Sequence, residues 1–282
     1  MTFKVFSELS YRVFLPSTFL FNIEVAQTNG QTILEEQLTT NIDCELETLV
    51  LPSGTRFIRT TINEPVDFVI TYNATVTTHH QLISEQQADT RTALSTIQPD
   101  VLPYLFPSRY CQSDKLQRFA SQMFGRIVGA YAKVLGICEW IYHNIEYLIG
   151  SSSSYTSALD TISERVGVCR DFAHLDIALC RAIGIPARYF TGYACQLQPA
   201  DFHACFEAYI NGNWLFFDAT RMITSNGLIK IANGLDAADT AVTNIFGSTF
   251  CNYITVNCEL ADGAIFKPFN AWENKEHALS YG

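Results

Sequence analysis

The sequence is poor in basic charge: 18 lysines and arginines against 28 aspartates and glutamates leave a net charge of −10 over 282 residues. The deficit runs throughout, with five basic and twelve acidic side chains in residues 1–105 and thirteen and sixteen in the remainder. Without a basic stripe interleaved with aromatics, nucleic-acid binding and attachment to an anionic membrane have no electrostatic basis. The long-range field favours cationic partners at most. Apolar runs long enough to span a bilayer are also missing, and residues 1–20, with Lys4, Glu8 and Arg12 among scattered aromatics, lack the layout of a signal peptide. No C-x-x-C pair occurs, and Cys251 and Cys258 stand too far apart, with no histidine nearby, for a zinc knuckle. Nor is there a D-x-D-x-D-G loop to hold calcium. No metal or other cofactor is expected, and no internal repeat is visible.

What is present points to a folded chain. Hydrophobic residues make up 48% of it, enough for a substantial core and two domains. Nine cysteines, odd in number and irregularly spaced, read as reduced thiols rather than a disulfide framework, which implies a cytoplasmic setting. From residue 3 to about residue 80 apolar and polar residues alternate, with breaks at Pro16, Asn29-Gly30 and Pro52-Ser53-Gly54, and Val, Ile, Thr and Tyr are frequent. A β-domain over 1–105, a sandwich, is expected. Three prolines in "IQPDVLPYLFPSRYC" mark its end, and a second domain occupies 106–282.

In that second part, "DKLQRFASQMFG" and "YAKVLGICEWIYHNIEYLIG" carry helical spacing, with Val134, Ile137, Ile141 and Ile145 as one stripe. Ser157 and Asp160 resemble a capping pair for a short helix that Gly167 would stop. A further helix, "CRDFAHLDIALCRAIG", shows Phe172, Leu175, Leu179, Ala182 and Ile183 as its apolar face and ends at Gly184 and Pro186. Cys169 then sits in its first turn, where unpaired N–H groups and the helix dipole favour a thiolate. A thiolate needs a base, and the base an orienting partner. The segments "HACFEAYI" and "NWLFFDAT" meet at Asn211-Gly212, a hairpin signal. A two-residue turn there pairs Cys205 with Asp218 and puts His203 diagonal to Asp218, on one face with Glu207. A three-residue turn would put Asp218 on the opposite face. His174, five positions beyond Cys169, lies well around the helix and reads as a hydrogen-bonded structural residue. Glu207 reads as a satisfied strand carboxylate, Tyr155 equally as a residue of the substrate entrance or an exposed loop tyrosine with no catalytic role, and Arg170 and Asp171 as a local pair or orienters of the first turn. Trp140, Trp214 and Phe216 read as core, and His79-His80 as surface.

"GVCRDFAHL", then "RAIGIPARYFTGY", then "HACFEAYINGNWLFFDAT" resemble the core of the transglutaminase-like superfamily, and "YRVFLPSTFLFNIEVAQT" resembles the region preceding that core in bacterial members. The resemblance implies an α+β fold in which an N-terminal antiparallel β-sandwich precedes a papain-like core, with a helix-borne cysteine against an antiparallel sheet. It implies Cys169 as nucleophile, His203 as base and Asp218 as the group orienting it. Cys205 stands where an aromatic is common after H-A, adding a second thiol near the site, and Ala219 stands where proline is common. The implied activity is hydrolysis of a peptide or isopeptide through an acyl-enzyme. The alternatives are amine transfer by a transglutaminase, and a binding module on an inactive core. The partner is then a peptide or protein substrate.

Overall fold

Alternating apolar residues become the inward faces of strands in the N-terminal part: β1 (Thr2–Val13), β2 (Ser17–Phe21), β3 (Gln31–Thr40), β4 (Glu47–Val50), β5 (Arg56–Ile62), β6 (Val66–Thr78) and β7 (Gln81–Ser84). The structure, a computed structural model, describes residues 1–88, 97–261, 263 and 266–282. Phe3, Val5, Leu9, Tyr11 and Val13 of β1 are buried, while Lys4 and Arg12 face out. Antiparallel register sets Leu9 against Ile70 and Tyr11 against Phe68. Phe19 and Phe21 stack at 5.2 Å, with Tyr11 and Phe68 tilted against them, so aromatic packing fills the space between two four-stranded sheets.

After a single helical turn, α1 (Glu85–Ala88), the helices α2 (Ser113–Phe124) and α3 (Ala130–Asn144) follow. Val134, Ile137 and Ile141 are buried as the spacing predicts. α3 ends at Asn144, earlier than the pattern suggested, because Ile145 turns extended and leads into a short strand, β8 (Glu146–Tyr147). Then come α4 (Ala158–Glu164), β9 (Val166–Gly167), α5 (Cys169–Ala182), β10 (Ala187–Ala194), β11 (Phe202–Ile210), β12 (Asn213–Phe217), β13 (Leu228–Gly234), β14 (Thr243–Phe246), β15 (Thr249–Leu260) and β16 (His277–Ser280). The chain is α+β, dominated by antiparallel sheets. α5 is not one-sided. Every residue from Asp171 to Arg181 is buried, because α2, α3, α4 and the strands β10 and β11 enclose it.

The strands do not sort at residue 105. The first sheet runs β15-β1-β6-β3 and the second β14-β2-β5-β4, so residues 243–260 return to complete both N-terminal sheets. The third runs β13-β10-β11-β12-β16-β7, with β7 from the N-terminal part at its edge. Tyr193, Ile229 and Ile231 of this sheet also pack into the N-terminal core, and the Tyr193 hydroxyl donates to the carbonyl of Ile23 at 2.6 Å. Gln31 ties the two parts again by accepting from the N–H of Lys230 and donating to its carbonyl.

Candidate active site

The approach to Cys169 is built from local contacts. The Ser157 N–H donates to Asp160 Oδ2 at 2.8 Å and starts α4 as a capping box. Arg165, with φ +63°, supplies the left-handed stop that the sequence suggested for Gly167. Gly167 has a different role: in β9 it pairs with Tyr147, and a Cβ there would lie 2.8 Å from the Cβ of Asp171. That contact lets β9 press against the first turn of α5. Asp171 secures the turn by accepting the Val168 N–H at 2.9 Å and the Ser152 hydroxyl at 2.9 Å. Arg170 approaches Asp171 at 3.7 Å and donates to the carbonyls of Ser153 and Thr156, holding the serine run against the helix. Cys169 is the first residue of α5 and half-buried, with the positive end of the helix beneath its sulfur.

The hairpin has the two-residue turn. Ile210 pairs with Asn213 and Phe206 with Phe217, and Asn211 and Gly212 have φ +47° and +82°, as this turn type requires. The register carries Asp218 just past the end of β12, and there its Oδ2 meets His203 Nε2 at 3.0 Å. Both side chains are 1% exposed. Thr220 fixes the carboxylate, donating its N–H and its hydroxyl to Oδ1, each at 2.8 Å. With Nε2 engaged, Nδ1 is the ring nitrogen left for Cys169, which lines the same cleft. Burial pushes the imidazole down, but the Asp218 carboxylate and the Cys169 sulfur outweigh it and carry His203 up to about 10. The structure thus brings Cys169, His203 and Asp218 together, with an imidazole that stays charged at neutral pH.

The neighbouring candidates part from this group. His174 is fully buried, stacked between Tyr110 and Tyr189, and accepts the Ala237 N–H at Nε2. Burial holds it well below the ordinary imidazole value, so it is a neutral packing residue. Cys205 is enclosed beside Phe190, and burial keeps that second thiol protonated. Glu207 is buried between Arg188 at 2.6 Å and Lys230 at 2.8 Å. Tyr155 is 84% exposed. Sequence reasoning missed Tyr147. The β8–β9 contact pairs it with Gly167, two residues before Cys169, and burial pushes its phenol up.

A cleft of about 530 Å³ opens over Cys169 and His203, lined also by Arg109, Tyr110, Thr240, Thr243 and Asn244. A larger groove of about 710 Å³ lies on the N-terminal sheets among Asp43, Glu45, Glu47 and Glu64. It has a cysteine, Cys44, but no histidine, so size does not select the site. Among the described residues no group of three or more His, Cys, Asp or Glu is arranged to hold a metal ion, and no helix is long and apolar enough to cross a membrane. All nine cysteines are free.

The pattern of the transglutaminase-like superfamily matches residues 117–219, and that of the bacterial transglutaminase N-terminal domain matches residues 1–100. A solved structure, titled in its own words "Putative Cysteine Protease from Cytophaga hutchinsonii", is 51% identical to this chain, covers 99% of it and 97% of its own length, and superposes with a TM-score of 0.96. This chain belongs to the transglutaminase-like superfamily. Relatives of this transglutaminase-like chain include "Uncharacterized protein ML0607" of Mycobacterium leprae, 29% identical over 116 residues that make up 38% of this chain and 42% of that one. "Uncharacterized protein Rv2569c" of Mycobacterium tuberculosis is 43% identical over 59 residues, 21% of this chain and 19% of its own length. The chain therefore spans less than half the length of these curated relatives.

Proposed function

We propose that the protein is a cysteine-dependent hydrolase of peptide or isopeptide bonds. The observation that carries this reading is the geometry at the mouth of the cleft: a thiol at a helix N-terminus, beside an imidazole whose other nitrogen is held 3.0 Å from a carboxylate. The designation of the Cytophaga hutchinsonii protein points the same way. The Cys169 thiolate attacks the amide carbonyl and forms a C–S bond. His203 gives its proton to the departing amine as the C–N bond breaks, leaving a thioester. The same imidazole then takes a proton from water, whose oxygen attacks the thioester, and the acid leaves as the thiolate is restored. Asp218 keeps the ring oriented and charged. The Cys169 N–H, in the first turn of α5, is a donor for the carbonyl oxygen as it becomes negative.

Water is the favoured acceptor over a lysine amine, because among the described residues no aspartate or glutamate lines the cleft to receive an ammonium group. The test is digestion of a peptide library by wild type and Cys169→Ala, read by mass spectrometry. Cleaved products from wild type alone support the reading. Cleavage that survives the substitution removes it, and wild-type partner capture without any product favours a binding module.

A further inference from the structure

The chain carries a net charge of −10, yet its cleft is cationic. Among the described residues, the ionisable side chains that line it besides the Cys169 thiol and the two tyrosines are Arg109, Arg170 and His203, and no carboxylate lines it. Nearby acids are already engaged. Asp171 is buried beneath the first turn and offsets Arg170 at 3.7 Å. Asp218 is committed to His203, and Asp236 accepts the Tyr110 N–H at 2.8 Å. Asp201, just before β11, accepts the N–H of Phe202 and lies outside the lining, with its charge offset by that of His203. Arg109 is different. Its guanidinium lies over the Tyr110 ring, 4.9 Å from the centroid, and no carboxylate pairs with it among the described residues.

The support under Arg109 is rigid. The Tyr110 ring stacks on His174 at 4.9 Å, its hydroxyl donates to the Ser154 carbonyl at 2.8 Å, and Arg170 also lies over the ring, at 4.5 Å. A guanidinium held on an aromatic plane at the rim of a catalytic cleft presents its N–H groups for paired bonds to a carboxylate. Such a charge in a concave site acts locally, against the sign of the protein as a whole.

We propose that the substrate is an acidic peptide, with a carboxylate close to the scissile amide that docks on Arg109. The proposal rests on the hydrolase reading above, and the following experiment separates the two. Iodoacetate and iodoacetamide each alkylate a thiolate with loss of iodide and differ chiefly in charge, so the ratio of their rates at one thiol cancels the thiolate fraction. The ratio is measured by mass mapping at Cys169 and, as an internal reference, at exposed Cys251.

The expected ratio at Cys169 is several-fold above that at Cys251. Arg109→Gln lowers it about three- to tenfold, and 1 M salt shrinks the difference. Arg109→Lys, which keeps the charge, retains most of it. An unchanged ratio in Arg109→Gln, with Cys169 still reacting rapidly with iodoacetamide and slowing in His203→Ala, overturns the proposal and leaves the hydrolase reading standing. A Cys169 no more reactive than Cys251 toward either reagent overturns both. Protection of Cys169 by the peptides Ac-Ala-Glu-Ala-NH2 and Ac-Ala-Gln-Ala-OH tells a side-chain carboxylate from a terminal one. Protection no greater than that given by Ac-Ala-Gln-Ala-NH2 counts against the proposal.

Discussion

Asp218 receives two bonds from Thr220 on one oxygen and faces His203 with the other, so its orientation is set before any substrate arrives. Asp218→Asn keeps the size of the side chain and removes the charge that holds the imidazole protonated. Turnover on any substrate found is expected to fall at least about 100-fold with little change in KM, since the lost interaction acts on the reacting groups. The same pair makes stability depend on pH. His203 is carried from about 6.5 to about 10 on folding, so the folded chain keeps a proton that the unfolded chain sheds. That contribution is complete below pH 6.5 and is lost as the pH rises through 10. Above pH 8 Lys230 opposes it, because burial lowers that amine to about 8 in the folded chain. Between pH 6 and 8, wild type should lose more resistance to urea than His203→Gln does, and equal losses would contradict the assignment. At this scale Cys169, His203 and Asp218 are legible because their residue types and spacing fit one chemistry. Arg109 and Tyr147 are not, since an arginine after a proline-rich stretch and a tyrosine after a helix acquire meaning only from what folds against them.

The first turn of α5 is secured from below by Asp171, and Gly167 leaves room for that carboxylate. Asp171→Ala strands the Val168 N–H and the Ser152 hydroxyl and should cost about 1–3 kcal/mol in urea unfolding. It should also slow Cys169 alkylation by loosening the turn. Gly167→Ala should destabilise to a similar degree because its Cβ would meet the Cβ of Asp171 at 2.8 Å. If neither variant changes the urea midpoint, β9 does not brace the helix. Local signals read the elements well where the physics is local. The Asn211-Gly212 turn set the hairpin register, and Ser157 with Asp160 marked the start of α4. They failed where a neighbour decides. Arg165 rather than a glycine takes the left-handed stop, and Ile145 leaves its helix to lead into β8, which pairs with β9.

Across the whole molecule, the two parts are laced rather than strung. Residues 243–260 close the N-terminal sheets, β7 extends the third sheet, and Gln31 bonds to both backbone groups of Lys230. None of this pairing is written in local periodicity, which shows that a segment is a strand but not which distant strand it joins. At the junction lies a buried ion triad, with Glu207 between Arg188 and Lys230 and Arg188 over the Trp214 ring at 4.1 Å. Burial raises the carboxyl, but the two cations outweigh it and keep Glu207 ionised. Glu207→Gln leaves two buried cations facing a neutral amide and should cost about 3–5 kcal/mol. The double variant Glu207→Leu with Lys230→Met should recover a large part of that loss, and a single variant as stable as wild type would show that the triad does not hold the junction.

The most direct test of the account is the alkylation rate of Cys169 by iodoacetamide as a function of pH, in wild type and in His203→Ala. The account predicts that Cys169 is alkylated rapidly at about pH 6 to 7, that the buried cysteines are not, and that the substitution abolishes this reactivity. A Cys169 no more reactive there than exposed Cys251, or one that keeps its reactivity without His203, would contradict the thiolate–imidazolium pair on which the proposed chemistry stands.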